Sequence, residues 1–322
     1  MPSRDPLISV VIPVFNRADG VSRAVASLAT GDDRPDEVIV VDDGSTDGSA
    51  EAALGALEMH GFAAAGRVLI QENRGAGAAR NRGAAKASGR YIAFLDSDDR
   101  WFPWTCTVLR QTLLRAGDPV LLFLEARLER DPKIKDPMPM TDPNVEVYAG
   151  FLEAVGRRRR SAIFGTLNLV LSRACFESAG GFESTMRCSE DSDLFLRLDR
   201  SGPCLLVRGA PLVGCFQGDD TLTGDPSCVA SGLKSMVERE RQGLYPGGAW
   251  EDPMRCSFHA GGAVFAARIA FARGRPVLAY SLILRYLGLM VRGGQARWLW
   301  RLALTPLLSL VRPQSYPFRF HS

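Results

Sequence analysis

Four times within the first 100 residues a short apolar run breaks off at polar or acidic side chains. Residues 7–15, 37–41, 67–71 and 91–95 are β-branched and almost uninterrupted, the pattern of strands buried on both faces of a parallel sheet. Val21, Val25 and Leu28 fall at helical spacing and predict a helix over residues 20–29. Strands that alternate with helices form βαβ units, and each crossover returns the chain to the same edge. Open α/β sheets bind ligands at that carboxyl edge. Here the four runs end in Asn16-Arg17-Ala18-Asp19, Asp42-Asp43-Gly44, Glu72-Asn73-Arg74 and Asp96-Ser97-Asp98-Asp99. Pro13, with no N–H to donate, is expected to end the pairing of the first strand.

Crowding Asp96, Asp98 and Asp99 at one strand end costs free energy unless a cation or ligand neutralises them. Hard divalent cations take such oxygens, and Mg2+ typically needs only one or two protein carboxylates beside substrate phosphates. Taken alone, the three residues fit a metal–diphosphate site and a solvated acidic turn equally well. Gly75 and Gly77 follow the third strand, but residue 80 is arginine, so the Gly-x-Gly-x-x-Gly of a dinucleotide fold is absent. Further on, Glu190-Asp191 precedes Leu194, Phe195, Leu196 and Leu198, which read as a buried helix face. The pair therefore sits at a helix N-terminus. Two readings stay open there: acid–base chemistry, or carboxylates that only complement the helix dipole.

In order and spacing, residues 9–16, 41–47, 75–83 and 95–99, then Gly180-Gly181-Phe182 and residues 189–198, resemble the successive motifs of the family 2 glycosyltransferases. The likeness covers residues 7–225. It implies an α/β chain of the GT-A fold with a mainly parallel central sheet. It also implies an inverting enzyme that uses a nucleotide-diphosphate sugar and Mn2+ or Mg2+. On this resemblance Pro13 and Phe15 wall the base pocket, and Asp43 accepts a hydrogen bond from the N–H of a uracil-type base. Asp47 serves turn and helix-cap chemistry. Arg80 lies near the nucleotide and diphosphate, where its fixed charge suits phosphate oxygens. Asp98 is the direct metal ligand, with Asp96 on the ribose or a metal-bound water. Asp99 is a third ligand or an N-cap before Trp101. Asp191 takes the general-base position and Glu190 that of its acidic neighbour.

The implied organisation is a catalytic domain over residues 1–225, with a nucleotide-sugar half (1–100) and an acceptor half (101–225). A helical C-terminal extension follows over residues 226–322. The implied reaction moves a sugar, from a UDP-sugar by preference, to a hydroxyl of a glycan or lipid-linked acceptor in cell-surface polysaccharide or glycolipid assembly. Trp101, Phe102 and Trp104 either pack in the core or stack on a sugar ring. Residues 131–144 read as a surface loop and acceptor-side lid. Two departures bear on this. Where the family often carries histidine or arginine, residues 215–223 offer Gln217 and the acidic Asp219 and Asp220. That segment keeps open a catalytically degenerate glycan- or lipid-binding subunit. The run from Arg157 to Arg160 fits an anionic acceptor or a solvated basic loop. A sugar-nucleotide-forming nucleotidyltransferase would want a Gly-rich, lysine-bearing loop after its first strand, and residues 16–20 do not supply one.

Composition narrows compartment and partners. Seven cysteines without a C-x-x-C pair point to reduced thiols in a cytosol, and away from zinc or a disulfide framework. Three histidines without H-E-x-x-H exclude the common zinc hydrolase patterns. No signal peptide is expected, because the first apolar run contains Pro13 and the first motif. The net charge of +3 is unevenly spread: from Arg255 onward there are ten arginines and no lysine, aspartate or glutamate. Upstream, 29 basic side chains face 36 acidic ones. Residues 258–290, with a turn at Gly274-Arg275-Pro276, predict a helical hairpin packed on the catalytic domain or on a second copy. After residue 290, arginines interleave with tryptophan and leucine in runs shorter than the ~20 residues of a spanning helix. They predict peripheral contact with an anionic membrane surface, at the cytosolic face of an inner membrane. No motif supports nucleic-acid binding.

Overall fold

The structure, a computed structural model, describes residues 7–129, 143–158, 162–216 and 224–294. The alternating pattern unfolds as β1 (Ile8–Val14), α1 (Ala18–Ser27), β2 (Glu37–Asp42), α2 (Ser49–Met59), β3 (Gly66–Ile70), α3 (Ala76–Ala84) and β4 (Tyr91–Phe94). Then come β5 (Arg100–Trp101), α4 (Thr105–Arg115), β6 (Leu121–Leu124), β7 (Ala126–Glu129), β8 (Asn144–Tyr148) and α5 (Phe151–Arg158). A 3-10 turn, Thr166–Asn168, leads into β9 (Leu169–Ser172), α6 (Arg173–Ser178), α7 (Glu190–Leu198), β10 (Cys204–Arg208) and β11 (Val213–Phe216). Three helices follow: α8 (Pro226–Arg241), α9 (Pro253–Ala272) and α10 (Pro276–Arg292).

The large sheet has the order β3-β2-β1-β4-β9-β6-β10-β8. β3, β2, β1 and β4 pair in parallel, as do β6 and β10; only β9 and β8 run the other way. Every residue of β1, β2, β4 and β6 is buried, as expected for a sheet covered on both faces. One core layer gathers Val10, Ile12 and Val14 with Val21 and Val25 of α1, and the opposite layer gathers Val11 and Phe94 with Leu194 and Phe195 of α7. Pro13 does not end the strand. Pairing with β4 stops at Val11, but β2 follows β1 through Pro13 and Val14. Proline is tolerated there because one flank of the strand is already open.

A small sheet, β5-β11-β7, stands directly after the Asp96–Asp99 turn. It is tied by Glu129, fully buried, which accepts from Arg100 Nε at 2.9 Å and Arg127 Nη2 at 2.6 Å. Trp101 and Phe102 are buried, and Trp104 stacks on Phe102 with centroids 5.4 Å apart, so the aromatic cluster belongs to the core.

The C-terminal hairpin forms, but α9 begins earlier than the spacing predicts. Asp252 caps it by accepting from the N–H groups of Met254 and Arg255, and Pro253 sits in the first turn where its missing N–H is harmless. Small residues on α9 let α10 approach closely: a Cβ on Gly293 would lie 2.5 Å from that of Ala260. The lid expected over residues 131–144 falls largely outside the described residues, and Asn144 itself opens β8. Arg157 pairs with Glu153 one turn back, while Arg159 and Arg160 lie outside the described residues.

Candidate active site

The carboxyl ends of β1 to β4 are stitched together by their own polar residues. Asn16, at φ +47°, donates its N–H to Ser45 Oγ at 2.9 Å and accepts the N–H of Thr46 on Oδ1 at 2.8 Å. Asp47 accepts the N–H groups of Ala18 and Ser49, the turn-and-cap work expected of it. Asp43 is buried, and its carboxylate accepts from Gln71 Nε2 (2.7 Å), Arg74 N (2.9 Å) and Gly75 N (2.7 Å). A carboxylate has about four acceptor positions, so Asp43 fixes the β3–α3 loop with three and has one for a ligand. Of the two expected wall residues, Pro13 is buried inside β1 and Phe15 is half exposed at the edge.

Around the acidic turn, charge balance is local. Arg17 pairs with Asp98, and both side chains are partly exposed. Asp96 accepts from Arg80 Nη2 at 2.6 Å. Asp99 caps no helix, since α4 begins at Thr105. It is buried and accepts the N–H of Phe216 at 3.0 Å, joining the turn to β11. Burial, then the charges of Asp96 and Asp98, push its carboxyl up to about 8. No preassembled group of three or more metal ligands occurs among the described residues. Asp96 and Asp98 nevertheless offer two hard, solvent-reachable carboxylates in an acidic neighbourhood. That donor set fits a divalent cation whose remaining ligands come from a diphosphate.

Arg80 is the centre of the site. Its side chain is 5% exposed; one terminal nitrogen bonds Asp96 and the other donates to Glu190 Oε1 at 3.1 Å. Burial works against its charge, but Asp96 and Glu190 more than offset it and hold the guanidinium protonated. Its Nε has no hydrogen-bond partner among the described residues, and its Cζ lies 5.7 Å from the Phe182 ring centroid. One buried cation thus links the β4 strand end to the N-terminus of α7, 16 and 110 residues from Arg80 in the chain.

The Gly180-Gly181-Phe182 segment locks α3 to that second element. Asn81 donates to the Phe182 carbonyl and accepts its N–H, both at 2.8 Å. Gly181, at φ +72°, is needed because a Cβ there would lie 2.6 Å from Asn81 Oδ1. Ser189, at φ +65°, then turns the chain into α7. Glu190 is pushed up to about 7 by burial and by Asp191 beside it, against the pull of Arg80. Burial raises Asp191 too, against the hydrogen bond it accepts from the N–H of Ser192 at 2.6 Å. Gly165, just before the 3-10 turn, passes close to the other Asp191 oxygen.

Several residues that support this site lie within the strand-end and motif segments but take their roles only from their partners. Asp193, fully buried, accepts from Arg197 Nε (2.9 Å) and Tyr245 Oη (2.8 Å) and pairs with Arg239 (2.7 Å). Arg17, Asn81 and Asp193 have ordinary types for a turn or a helix, and only their partners give them roles. The cysteine expectation is overturned: Cys188 and Cys228 form a disulfide with Cα atoms 5.8 Å apart. Their separation of 40 residues hides what packing brings together. A Cβ on Gly232 of α8 would lie 2.5 Å from the Cys188 carbonyl oxygen, so the two segments touch. Gln217, Asp219 and Asp220 lie outside the described residues.

A mainly parallel sheet whose acidic strand ends face a second acidic pair belongs to the class of GT-A glycosyltransferase folds. The comparisons agree, and the chain belongs to glycosyl transferase family 2, whose model matches residues 9–135. Succinoglycan biosynthesis protein ExoU of Rhizobium meliloti is 33% identical over 230 residues, 66% of each chain. The chain spans about two thirds of ExoU's length and 13–37% of the length of seven further glycosyltransferase relatives. Among solved structures, S. aureus TarS 1–349 in complex with UDP superposes with a TM-score of 0.53 at 16% identity, over 92% of this chain and 91% of that one. Mannosyltransferase PcManGT from Pyrobaculum calidifontis, in complex with GDP-Man and Mn2+, gives 0.55 at 18% identity, over 98% and 89%. At such identities the structural likeness carries the fold alone, and it is the GT-A fold expected from the sequence.

Proposed function

We propose that the protein transfers a sugar, with inversion, from a UDP-sugar to a hydroxyl of a glycan or lipid-linked acceptor in building a cell-surface polysaccharide or glycolipid. The carrying observation is Arg80, which holds Asp96 on the strand-end side and Glu190 beside Asp191 within one buried network. Residues 1–225 then form the catalytic unit and residues 226–322 an extension. Phe15 and the open acceptor position of Asp43 take the base; Arg80 faces the diphosphate. Asp98 and Asp96 would hold a Mn2+ or Mg2+ ion, which stabilises the negative charge of the departing diphosphate. Asp191, with Glu190 next to it, accepts the acceptor's hydroxyl proton as the oxygen bonds to the anomeric carbon. The bond from that carbon to the diphosphate oxygen breaks on the opposite side, and the nucleoside diphosphate leaves with the electron pair. Burial raises both carboxyls, and Glu190, at about 7, lies in the range that suits acid–base work at neutral pH, which supports this reading.

ExoU's part in succinoglycan biosynthesis and the UDP complex of TarS support the biosynthetic and UDP parts of this reading. The proposed place is the cytosolic face of a membrane, although the Cys188–Cys228 bond removes the cysteine pattern as an argument for it. One observation favours the rival, a degenerate glycan-binding subunit: Asp43, Asp96 and Asp98 already have partners of their own. Calorimetry of UDP, dTDP and GDP, each with Mn2+ and with EDTA, separates the two. Metal-dependent binding of UDP, followed by slow hydrolysis of a UDP-sugar without acceptor, is the expected result. Binding of none of the three nucleotides would hand the site to the rival.

A further inference from the structure

α10 has one face too many. A helix that is apolar nearly all round belongs in an interior, yet Ala279, Leu282, Tyr286 and Met290 are buried, Leu278, Ile283 and Leu289 pack half-buried against the α8–α9 cluster, and the rest of the apolar surface is left uncovered. The opposite side leaves Val277 83%, Leu284 74% and Val291 55% exposed, with Tyr280 and Leu287 each at 41%. These five recur at intervals of 3, 4, 3 and 4 residues. At about 100° per residue they span only ~80° of the helix surface, one continuous stripe. Arg292 and Arg285 lie about 60° and 80° beyond the Val277 edge of the stripe, past Gly288 and Ser281, and both are exposed. The sequence reading, in which this hairpin packs away and only later residues meet a membrane, does not account for that stripe.

We infer that the outer face of α10 is a membrane-binding surface for an anionic lipid bilayer, lying in the interface with its axis along the membrane plane. Charge selects the occupant. From Arg255 to the last residue there is no acidic side chain, and Arg273, Arg275, Arg285 and Arg292 border or lie within α10. Pairing the stripe with its own copy would set arginines near arginines with no carboxylate between them. Anionic headgroups satisfy the same arginines, whose stems reach past the leucines to the polar layer, while Tyr280 places its ring at the boundary. No described helix is long and apolar enough to cross a bilayer. At 17 residues, α10 is about 26 Å long and suits lying flat.

The full chain is to be floated on vesicles of phosphatidylcholine, with and without 30 mol% phosphatidylglycerol (roughly the anionic density at which polybasic surfaces bind). Wild-type protein should float with the anionic vesicles and hardly at all with the neutral ones. Arg285→Ala and Arg292→Ala should each weaken binding roughly fivefold. Leu284→Glu with Leu287→Glu should weaken it more than about tenfold, with UDP affinity and melting temperature unchanged. Three results would overturn the inference. Wild type could stay unbound. The leucine variant could float as well as wild type, moving the contact to residues 295–322. Light scattering could show a dimer that the leucine variant splits, making the occupant a second copy. The readout is lipid, not sugar transfer, so failure here leaves the catalytic reading standing.

Discussion

At residue scale the site depends on partners that balance one another. Asp191→Asn keeps the shape and removes the proton acceptor. Transfer should fall about 10²–10⁴-fold, the usual worth of a general base, while UDP affinity by calorimetry stays within twofold. Undiminished turnover would remove Asp191 from that role. Because Glu190 is held at about 7, kcat/KM should rise with pH across roughly 6–8 as the acidic pair loses its shared proton. Glu190→Gln should flatten that inflection; a profile that keeps it assigns the titration elsewhere. Arg17 shields Asp98 in the free protein. Both groups are partly exposed, so the pair is worth under ~1 kcal/mol. Arg17→Ala should therefore tighten Mn2+ binding by no more than about fivefold, and a weakening would mean Arg17 does not compete for Asp98.

At the scale of elements, α7 is aimed by what holds its N-terminal end. Asn81 and Gly181 clamp the segment before it, and Asp193 ties it to α8 through Arg239. The Cys188–Cys228 bond fastens the residue preceding Ser189 to the first turn of α8. Closing a 40-residue loop is worth about 4 kcal/mol in the chain-entropy account. Cys228→Ser should lower the unfolding free energy by roughly that amount. Dithiothreitol should do the same to wild type and nothing to the variant. A wild-type melting curve indifferent to reductant would show the bond does not contribute.

Across the whole molecule, α8, α9 and the loop between them share a buried ionic cluster. Arg255, 1% exposed, donates to both oxygens of Glu240 and to the carbonyls of Pro246 and Gly248, and His259 Nε2 lies 3.2 Å from Glu240. Burial would raise Glu240, but His259 and Arg255 outweigh it and hold the carboxyl down at about 2. Its contribution to stability is therefore full above the ordinary pKa of 4.5 and is lost as pH falls through about 2. Arg255→Met should cost about 3–5 kcal/mol in urea unfolding, because buried Glu240 loses its guanidinium and keeps only His259 and the Trp250 N–H as partners. Adding Glu240→Leu should recover much of that loss; equal instability in both would mean the cluster's packing, not its charge, is what matters.

The first four strands and the acidic ends of β2 and β4 were legible in the chain because burial on both faces forces apolar, β-branched runs. Turn chemistry likewise marks where such runs must stop. Five motifs in sequence sufficed to recognise the family. Partners were not legible, since nothing local in Asp43, Asp98 or Asp99 says whether a carboxylate meets a ligand, an arginine or a backbone N–H. The same holds for Arg80, whose contacts lie 16 and 110 residues away, and for two cysteines that only the packing of α8 on the α7 entry brings together. Periodicity told that α10 is a helix. Which of its apolar faces stays open was decided by the tertiary structure, because exposure depends on what packs around a helix and not on its own sequence.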